Sequence, residues 1–344
     1  MFYKIKPVPT AEELKSAIPL SDELKRKRQI SVEQTEAILS GRDKRKLFIV
    51  GPCSADRADA VCDYAERLAR VALRIKSVAH VIMRVYTGKP RTRGDAYSGM
   101  IHTPDAISGD TDIGAGLFAA RKLHIRVAET SGLFTADEMF YPSATEYTDD
   151  IVSYFTVGAR SAQNSEHRYV ASGLDIPVGI KNPLHGSALD FADSLYSAGI
   201  ANEFLSNGCQ TRTDGNRFVH AVLRGAVDIN GNNIADYGYD YVMRLHEACS
   251  ARQCVNRSVI IDTGHSNSGK LTSEVPAITN DVLDVARRFA DYNGTVKGFM
   301  IESYLVEGCQ SAGGDCYGKS VTDPCVGWED TERLLLSAAE KIVL

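Results

Sequence analysis

Eight short, continuously apolar runs separated by longer amphipathic stretches govern what this chain can fold into. The runs lie at 47–51, 80–86, 133–136, 155–158, 177–181, 203–206, 259–262 and 298–302. Helical patterns occupy 58–75, 113–123, 189–197, 278–292 and 330–344. Strands that alternate with helices connect in parallel, and a parallel strand is covered on both faces, so it reads as an unbroken apolar run. Eight such units predict an α/β fold closed as a (β/α)8, or TIM, barrel, and 344 residues accommodate one barrel with additions. Residues 1–46 are charged and helical in pattern and read as an N-terminal extension before a barrel domain over 47–344. Within the extension, Ser31 with Gln34 three residues later fits a helix start. Residues 207–232 break the rhythm with Gly, Asn, Asp and Thr around a second apolar run at 220–223. They predict a β-hairpin inserted after strand six, at about 207–224.

Composition narrows the function classes. A formal net charge of −5 gives no global positive field for nucleic acid or an anionic membrane, so an anionic substrate must meet a local cluster of cations. No apolar run approaches the roughly 18 residues of a membrane span. The start, Met1-Phe2-Tyr3-Lys4-Ile5-Lys6-Pro7, has no apolar core like that of a secretion signal. The 8 Cys include no Cys-x-x-Cys pair, and a disulfide framework is not expected in so long a chain without such a signal. A soluble, cytoplasmic protein is the expectation.

The polar residues that bear chemistry fall where the predicted strands end, which is where a barrel builds its site. Strand one runs into Gly51-Pro52-Cys53-Ser54, and strand two contains Arg84 and leads to Lys89-Pro90-Arg91-Thr92. Strand three ends at Glu138, strand four at Gly158-Ala159-Arg160, and strand five at Lys181-Asn182. Arg224 lies on the expected hairpin, strand seven runs into Asp262-Thr263-Gly264-His265, strand eight into Glu302, and Asp323 follows. One Arg at a strand end is ordinarily a surface ion pair. So many charges on one face would repel one another unless a ligand or metal compensated them. Cys53, His265, Glu302 and Asp323 offer a sulfur, a nitrogen and two carboxylates, a mixture that suits a divalent transition ion with one position open; a buried thiol beside an unrelated His is the plainer alternative. Arg84, Lys89, Arg91, Arg160, Lys181 and Arg224 form a ring of six cations, more than one phosphate needs and balanced better by two phosphates and a carboxylate.

Together these motifs resemble the class I 3-deoxy-D-arabino-heptulosonate 7-phosphate (DAHP) synthases. The likeness runs from about Asp43 to the C-terminus. It rests on Gly51-Pro52-Cys53-Ser54, Met83-Arg84-Val85-Tyr86 with Lys89-Pro90-Arg91-Thr92, Gly158-Ala159-Arg160, and His167-Arg168. It continues through Lys181-Asn182, Leu223-Arg224-Gly225, His265 with Asn267-Ser268, Glu302-Ser303, Thr322-Asp323 and Gly327-Trp328-Glu329-Asp330. The resemblance implies a metal-dependent condensation of phosphoenolpyruvate with erythrose 4-phosphate that releases phosphate. It implies Cys53, His265, Glu302 and Asp323 as ligands of Mn, Fe, Co or Zn. Arg160, Lys181 and Arg224 would take the phosphoenolpyruvate phosphate, and Arg84, Lys89 and Lys181 its carboxylate. Arg91 and Thr92 would take the aldose phosphate, with Pro90, Ala159, Glu138 and His167 lining the site. Cys53, Lys89, His265 and Asp323 would serve catalysis. A homodimer or homotetramer is the usual assembly.

The chain departs from the family at Ala55-Asp56-Arg57, at Arg93–Ser98, at Pro183-Leu184-His185 and at Gly264. These loops surround the aldose, so a paralogue taking another aldose phosphate is the alternative, with a non-catalytic phosphosugar sensor as a third reading. A shorter N-terminal arm and hairpin imply weak or absent inhibition by Phe, Tyr or Trp. Three other motifs fail. Gly264-His265-Ser266-Asn267-Ser268 lacks the final Gly of a nucleophile elbow. Gly114-Ala115-Gly116 lacks the preceding strand of a dinucleotide site. Cys309, Cys316 and Cys325 lack zinc-ribbon spacing.

Overall fold

The computed structural model describes residues 1–90, 97–106, 108–185 and 187–343. Eight parallel strands close into a barrel in chain order: Lys46–Gly51, Ala79–Arg84, Thr135–Glu138, Tyr154–Val157, Val178–Lys181, Val219–Leu223, Val259–Asp262 and Val296–Glu302. The first strand closes on the eighth, from Leu47 opposite Gly298 to Gly51 opposite Glu302. The expected (β/α)8 barrel is the architecture.

Both faces of each strand are used, which explains the unbroken apolar runs. In the first strand, Leu47 and Ile49 join an interior cluster with Ile82, Tyr86, Ala136, Tyr154, Val222, Ile260 and Met300. Phe48 and Val50 belong to the outer layer, with Val61, Tyr64 and Leu68 of the helix Ala58–Ile75. Burying each such side chain stabilises the fold by roughly 1.5–3 kcal/mol. Gly179 makes room inside the barrel: a Cβ there would lie 2.1 Å from the Tyr154 hydroxyl and 2.6 Å from Val222. The Tyr154 hydroxyl instead meets His220 Nε2 at 2.8 Å.

Strand six lies elsewhere than the sequence suggested. Glu203–Ser206 does not enter the barrel; it pairs with Cys209–Arg212 as an outer hairpin, and Val219–Leu223 is the sixth barrel strand. The hairpin turn is Asn207-Gly208, both in the left-handed conformation, the pair that favours a two-residue turn. Glu-Phe-Leu-Ser alternates in exposure as a half-covered strand does, while Val219–Leu223 is buried throughout. The hairpin therefore precedes strand six rather than spanning 207–224, and Arg224 follows that strand directly. A second, shorter hairpin does follow strand six, pairing Ala226–Val227 with Asn233–Ile234.

The N-terminal segment forms two helices, Ala11–Ala17 and Asp22–Leu39. Ser31 is not a helix start. The second helix is capped by Ser21, whose hydroxyl accepts from the Leu24 amide, and two acids follow in its first turn. Strong helix formers at 22–29 carry the helix back past the Ser31 pattern, and Ser31 Oγ meets His80 Nε2 at 3.2 Å instead. Ile38, at the far end of this helix, reaches the barrel's interior cluster. Ser258 fastens the same end by donating to the Leu39 carbonyl at 2.7 Å.

Candidate active site

The C-terminal ends of the strands bring the predicted residues to one face. Gly51 ends the first strand against the second: a Cβ there would lie 2.3 Å from the Arg84 carbonyl oxygen. Only without a side chain can Cys53 and Arg84 stand together. Arg84 is fully buried and donates from Nη2 to Glu302 at 2.7 Å, and from Nε and Nη2 to the carbonyls of Pro52 and Cys53 at 3.1 and 3.3 Å. Its guanidinium carbon lies 3.7 Å from the centre of the Tyr86 ring. Burial works against this charge, but Tyr86, Glu302 and Cys53 outweigh it and hold Arg84 above its ordinary pKa.

Lys89 is also buried, with Nζ 3.6 Å from Glu138 and 4.0 Å from Glu302. Burial again opposes the charge, and Cys53, Glu138 and Glu302 overcome it, so Lys89 is held protonated. Burial pushes the Cys53 thiol itself up to about 11, so at neutral pH without a cation the two carboxylates carry this effect. Lys181 pairs with Asp262 at 2.9 Å. The Arg224 amide donates to Asn182 Oδ1 at 2.8 Å, and the Asn182 amide donates to the Gly225 carbonyl at 3.2 Å. Among the described residues, Arg84 Nη1 and Arg224 Nη1 are buried donors with no acceptor. Each would cost about 1–3 kcal/mol unless met, so they fit a ligand that brings oxygen atoms.

Cys53, Glu302 and Asp323 place their ligand atoms within 4.8 Å of one another. His265 lies beside that set, with Nε2 3.7 Å from Glu302. Asp262 holds its Nδ1 at 3.0 Å, which turns Nε2 toward the cluster, the arrangement common around metal-binding imidazoles. His265 adopts the left-handed backbone conformation, with φ of 55°. Such strain in a non-glycine residue costs on the order of 1–2 kcal/mol and concentrates at functional sites. Burial raises the carboxyl of Glu302, but His265, Arg84 and Lys89 bring it below its ordinary value; Asp323 is lowered against burial by His265, Lys89 and Lys270. A thiol, an imidazole and two ionised carboxylates packed together fit a divalent transition ion.

The remaining predicted residues are placed less tightly. Arg160 is exposed, with Nη1 3.4 Å from the Pro90 carbonyl, and Ala159 is half-buried beside it. His167 is mostly buried, its Nδ1 3.1 Å from Asn164, and burial lowers its pKa. Arg91 and Thr92, with most of the divergent stretch Arg93–Ser98, lie outside the described residues. Sequence reasoning named Asp262 at the end of strand seven and Tyr86 in a motif but gave neither a role; the structure sets Asp262 against His265 and Lys181, and the Tyr86 ring near both Arg84 and Lys89. Asn267 was likewise named without a role; it donates to the carbonyls of Leu223 and Asp262 at 3.2 and 2.9 Å and so ties strands six and seven together.

A (β/α)8 barrel whose strand ends gather buried cations around a thiol–carboxylate cluster is the framework of an enzyme acting on small anionic molecules. Comparison with known proteins places it further. A model of the DAHP synthetase I family matches residues 28–336, and the chain belongs to that family. It is 35% identical over 313 residues to the Phe-sensitive phospho-2-dehydro-3-deoxyheptonate aldolase of Escherichia coli, covering 89% of this chain and 86% of that one. The Tyr-sensitive enzyme of the same organism is 34% identical over 337 residues, covering 95% and 90%. The solved structure of the corresponding aldolase from Francisella tularensis superposes with a TM-score of 0.91 at 29% identity, covering 100% of this chain and 99% of that one.

Proposed function

We propose that this chain condenses phosphoenolpyruvate with erythrose 4-phosphate and water to give DAHP and inorganic phosphate, the first step toward the aromatic amino acids. The observation that carries the reading is buried Lys89, 4.0 Å from Glu302 of the cluster formed with Cys53 and Asp323, in a family whose members include phospho-2-dehydro-3-deoxyheptonate aldolases. Phosphoenolpyruvate's carboxylate meets Arg84, Lys89 and Lys181, and its phosphate meets Lys181, Arg224 and Arg160. Both buried arginines have a donor free for these oxygens among the described residues. Arg91 and Thr92 take the aldose phosphate.

The chemistry follows from these groups. The enol carbon is a weak nucleophile, so the aldehyde must be made more electrophilic. A divalent ion held by Cys53, His265, Glu302 and Asp323 would polarise the aldehyde oxygen. Lys89 delivers a proton to that oxygen as C3 of phosphoenolpyruvate bonds to the aldehyde carbon. The C2=C3 electron pair makes that bond and leaves C2 cationic; water adds at C2 and returns one proton to Lys89, and the C2 hydroxyl gives its remaining proton to the departing phosphate as the bond from C2 to the bridging oxygen breaks and the ketone forms. The fixed cations hold both substrates in register, which removes much of the entropic barrier.

The metal is Mn, Fe, Co or Zn, the protein is cytoplasmic, and the assembly is a homodimer or homotetramer. No helix among the described residues is long and apolar enough to cross a membrane, which accords with that location. Identity to the Phe-, Trp- and Tyr-sensitive relatives is level at 34–35%, so likeness favours no one effector, and weak or absent inhibition is the reading we retain. Phosphate release from phosphoenolpyruvate, measured with a panel of four- and five-carbon aldose phosphates, tests the proposal. Release that depends on erythrose 4-phosphate supports it. Preference for another aldose would establish the paralogue reading, and silence with every aldose the sensor reading.

A further inference from the structure

Behind Lys89 lies a buried polar network centred on Asp137. Asp137 is the third residue of the third strand and is 3% exposed. Successive strand residues face opposite sides, so Ala136 and Glu138 share one face and Asp137 points away toward the helix Ile113–Ser131. A carboxylate in that apolar layer is costly unless fully bonded. Its Oδ1 accepts from the amides of Thr87 and Glu138 at 2.8 and 2.7 Å. Its Oδ2 accepts from the Thr87 hydroxyl at 2.5 Å and meets His124 Nε2 at 3.1 Å. His124 Nδ1 meets Thr135 Oγ1 at 2.8 Å, and Thr87, His124 and Thr135 are all buried.

The two amides are not arbitrary ones. Thr87 lies two residues before Lys89, on a segment that has left the second strand after Arg84. Glu138 is the counter-charge 3.6 Å from Lys89 Nζ. We infer that Asp137 is a positioning residue: one carboxylate, braced by His124 and Thr135, anchors both the loop carrying Lys89 and the residue carrying its counter-ion, and so fixes the ammonium in the site. This rests on the reading of Lys89 as the proton donor.

A positioning role and a merely structural one predict different kinetics. Asp137→Asn preserves the shape: its oxygen can accept both amides, while its NH2 meets the Thr87 oxygen and the other tautomer of His124. Asp137→Ala leaves two buried amides unpaired. In metal-loaded enzyme, kcat should fall about 10-fold in Asp137→Asn and about 100-fold in Asp137→Ala, since displacement by about 1 Å can cost that much. KM for erythrose 4-phosphate should stay within about twofold, while KM for phosphoenolpyruvate, whose carboxylate also meets Lys89, should rise. In a Lys89→Ala background the same substitutions should cost less than about twofold, because the group they position is gone. Equal losses in both backgrounds, or an unchanged kcat in both variants, would overturn the inference. If Asp137→Ala does not fold, Asp137→Asn decides alone. A Lys89→Ala enzyme that keeps the wild-type rate would instead overturn the reading of Lys89, which separates the two failures.

Discussion

Lys89 and Asp236 show how burial sets the chemistry of single residues here. Lys89 stays charged inside the protein because two carboxylates face it. Lys89→Met keeps the bulk and removes the proton, so kcat should fall by a factor on the order of 10²–10⁴ in steady-state assays. A loss below tenfold would remove Lys89 from the proton transfer. Asp236 is the opposite case. It is buried, neither carboxylate oxygen has a hydrogen-bond partner among the described residues, and burial raises its pKa to about 7. Because the folded value lies above the unfolded one, ionisation costs nothing below about pH 4, grows as pH rises, and is complete above about pH 7. Asp236→Asn should therefore stabilise the ligand-free protein by up to a few kcal/mol at pH 8 and much less at pH 5, read as urea midpoints. A gain that is equal at both pH values would show that Asp236 is not a buried acid. At this scale the reactive types were legible, because each strand run ends on one. Asp137 was not, and the role of Asp262 was not, since a single carboxylate beside an apolar run does not reveal whether it faces the site, a helix or another side chain.

At the scale of elements, seven barrel strands were read to within two residues, while the helices Ser165–Ala171 and Tyr239–Ala251 were missed and the one that begins at Ile113 was ended at 123 instead of Ser131. The helix Ala58–Ile75 was read at its true bounds, because its 18 residues give a long periodic signal. Strand six was misplaced because two short apolar runs stood close together, and the length of each fits a strand. The Asn207-Gly208 turn and the alternation in Glu203–Ser206 distinguish them. The N-terminal extension is another case where pattern fell short. Its amphipathic signal indicated a helix but not that Ile38 would reach the barrel's interior. Ile38→Ala should cost about 2–5 kcal/mol in chemical denaturation, as for other fully buried aliphatics. A cost below about 0.5 kcal/mol would make the extension an appendage rather than part of the core.

The whole molecule joins a negative net charge to a site where buried cations stand among carboxylates, so small anions are met locally without a general affinity for polyanions. The barrel was legible as a whole because closure demands eight similar units, and the site was legible because a barrel has only one active face. The aldose-binding side was not, since Arg91 and Thr92 lie outside the described residues and the divergent stretch follows them. At the surface, Met1, Phe2, Tyr3 and Ile5 are exposed, and if the proposed homo-oligomer forms through this apolar arm, its loss separates the copies. Removing residues 1–9 should lower the mass measured by sedimentation; an unchanged mass would place the interface elsewhere. The central claim is that one site combines a metal cluster with a buried proton donor. The most direct test is phosphate release from phosphoenolpyruvate and erythrose 4-phosphate by chelator-stripped protein before and after manganese is restored. We predict a silent stripped enzyme that regains full activity at about one metal ion per chain. Equal turnover before and after restoration would contradict the claim, as would silence in both.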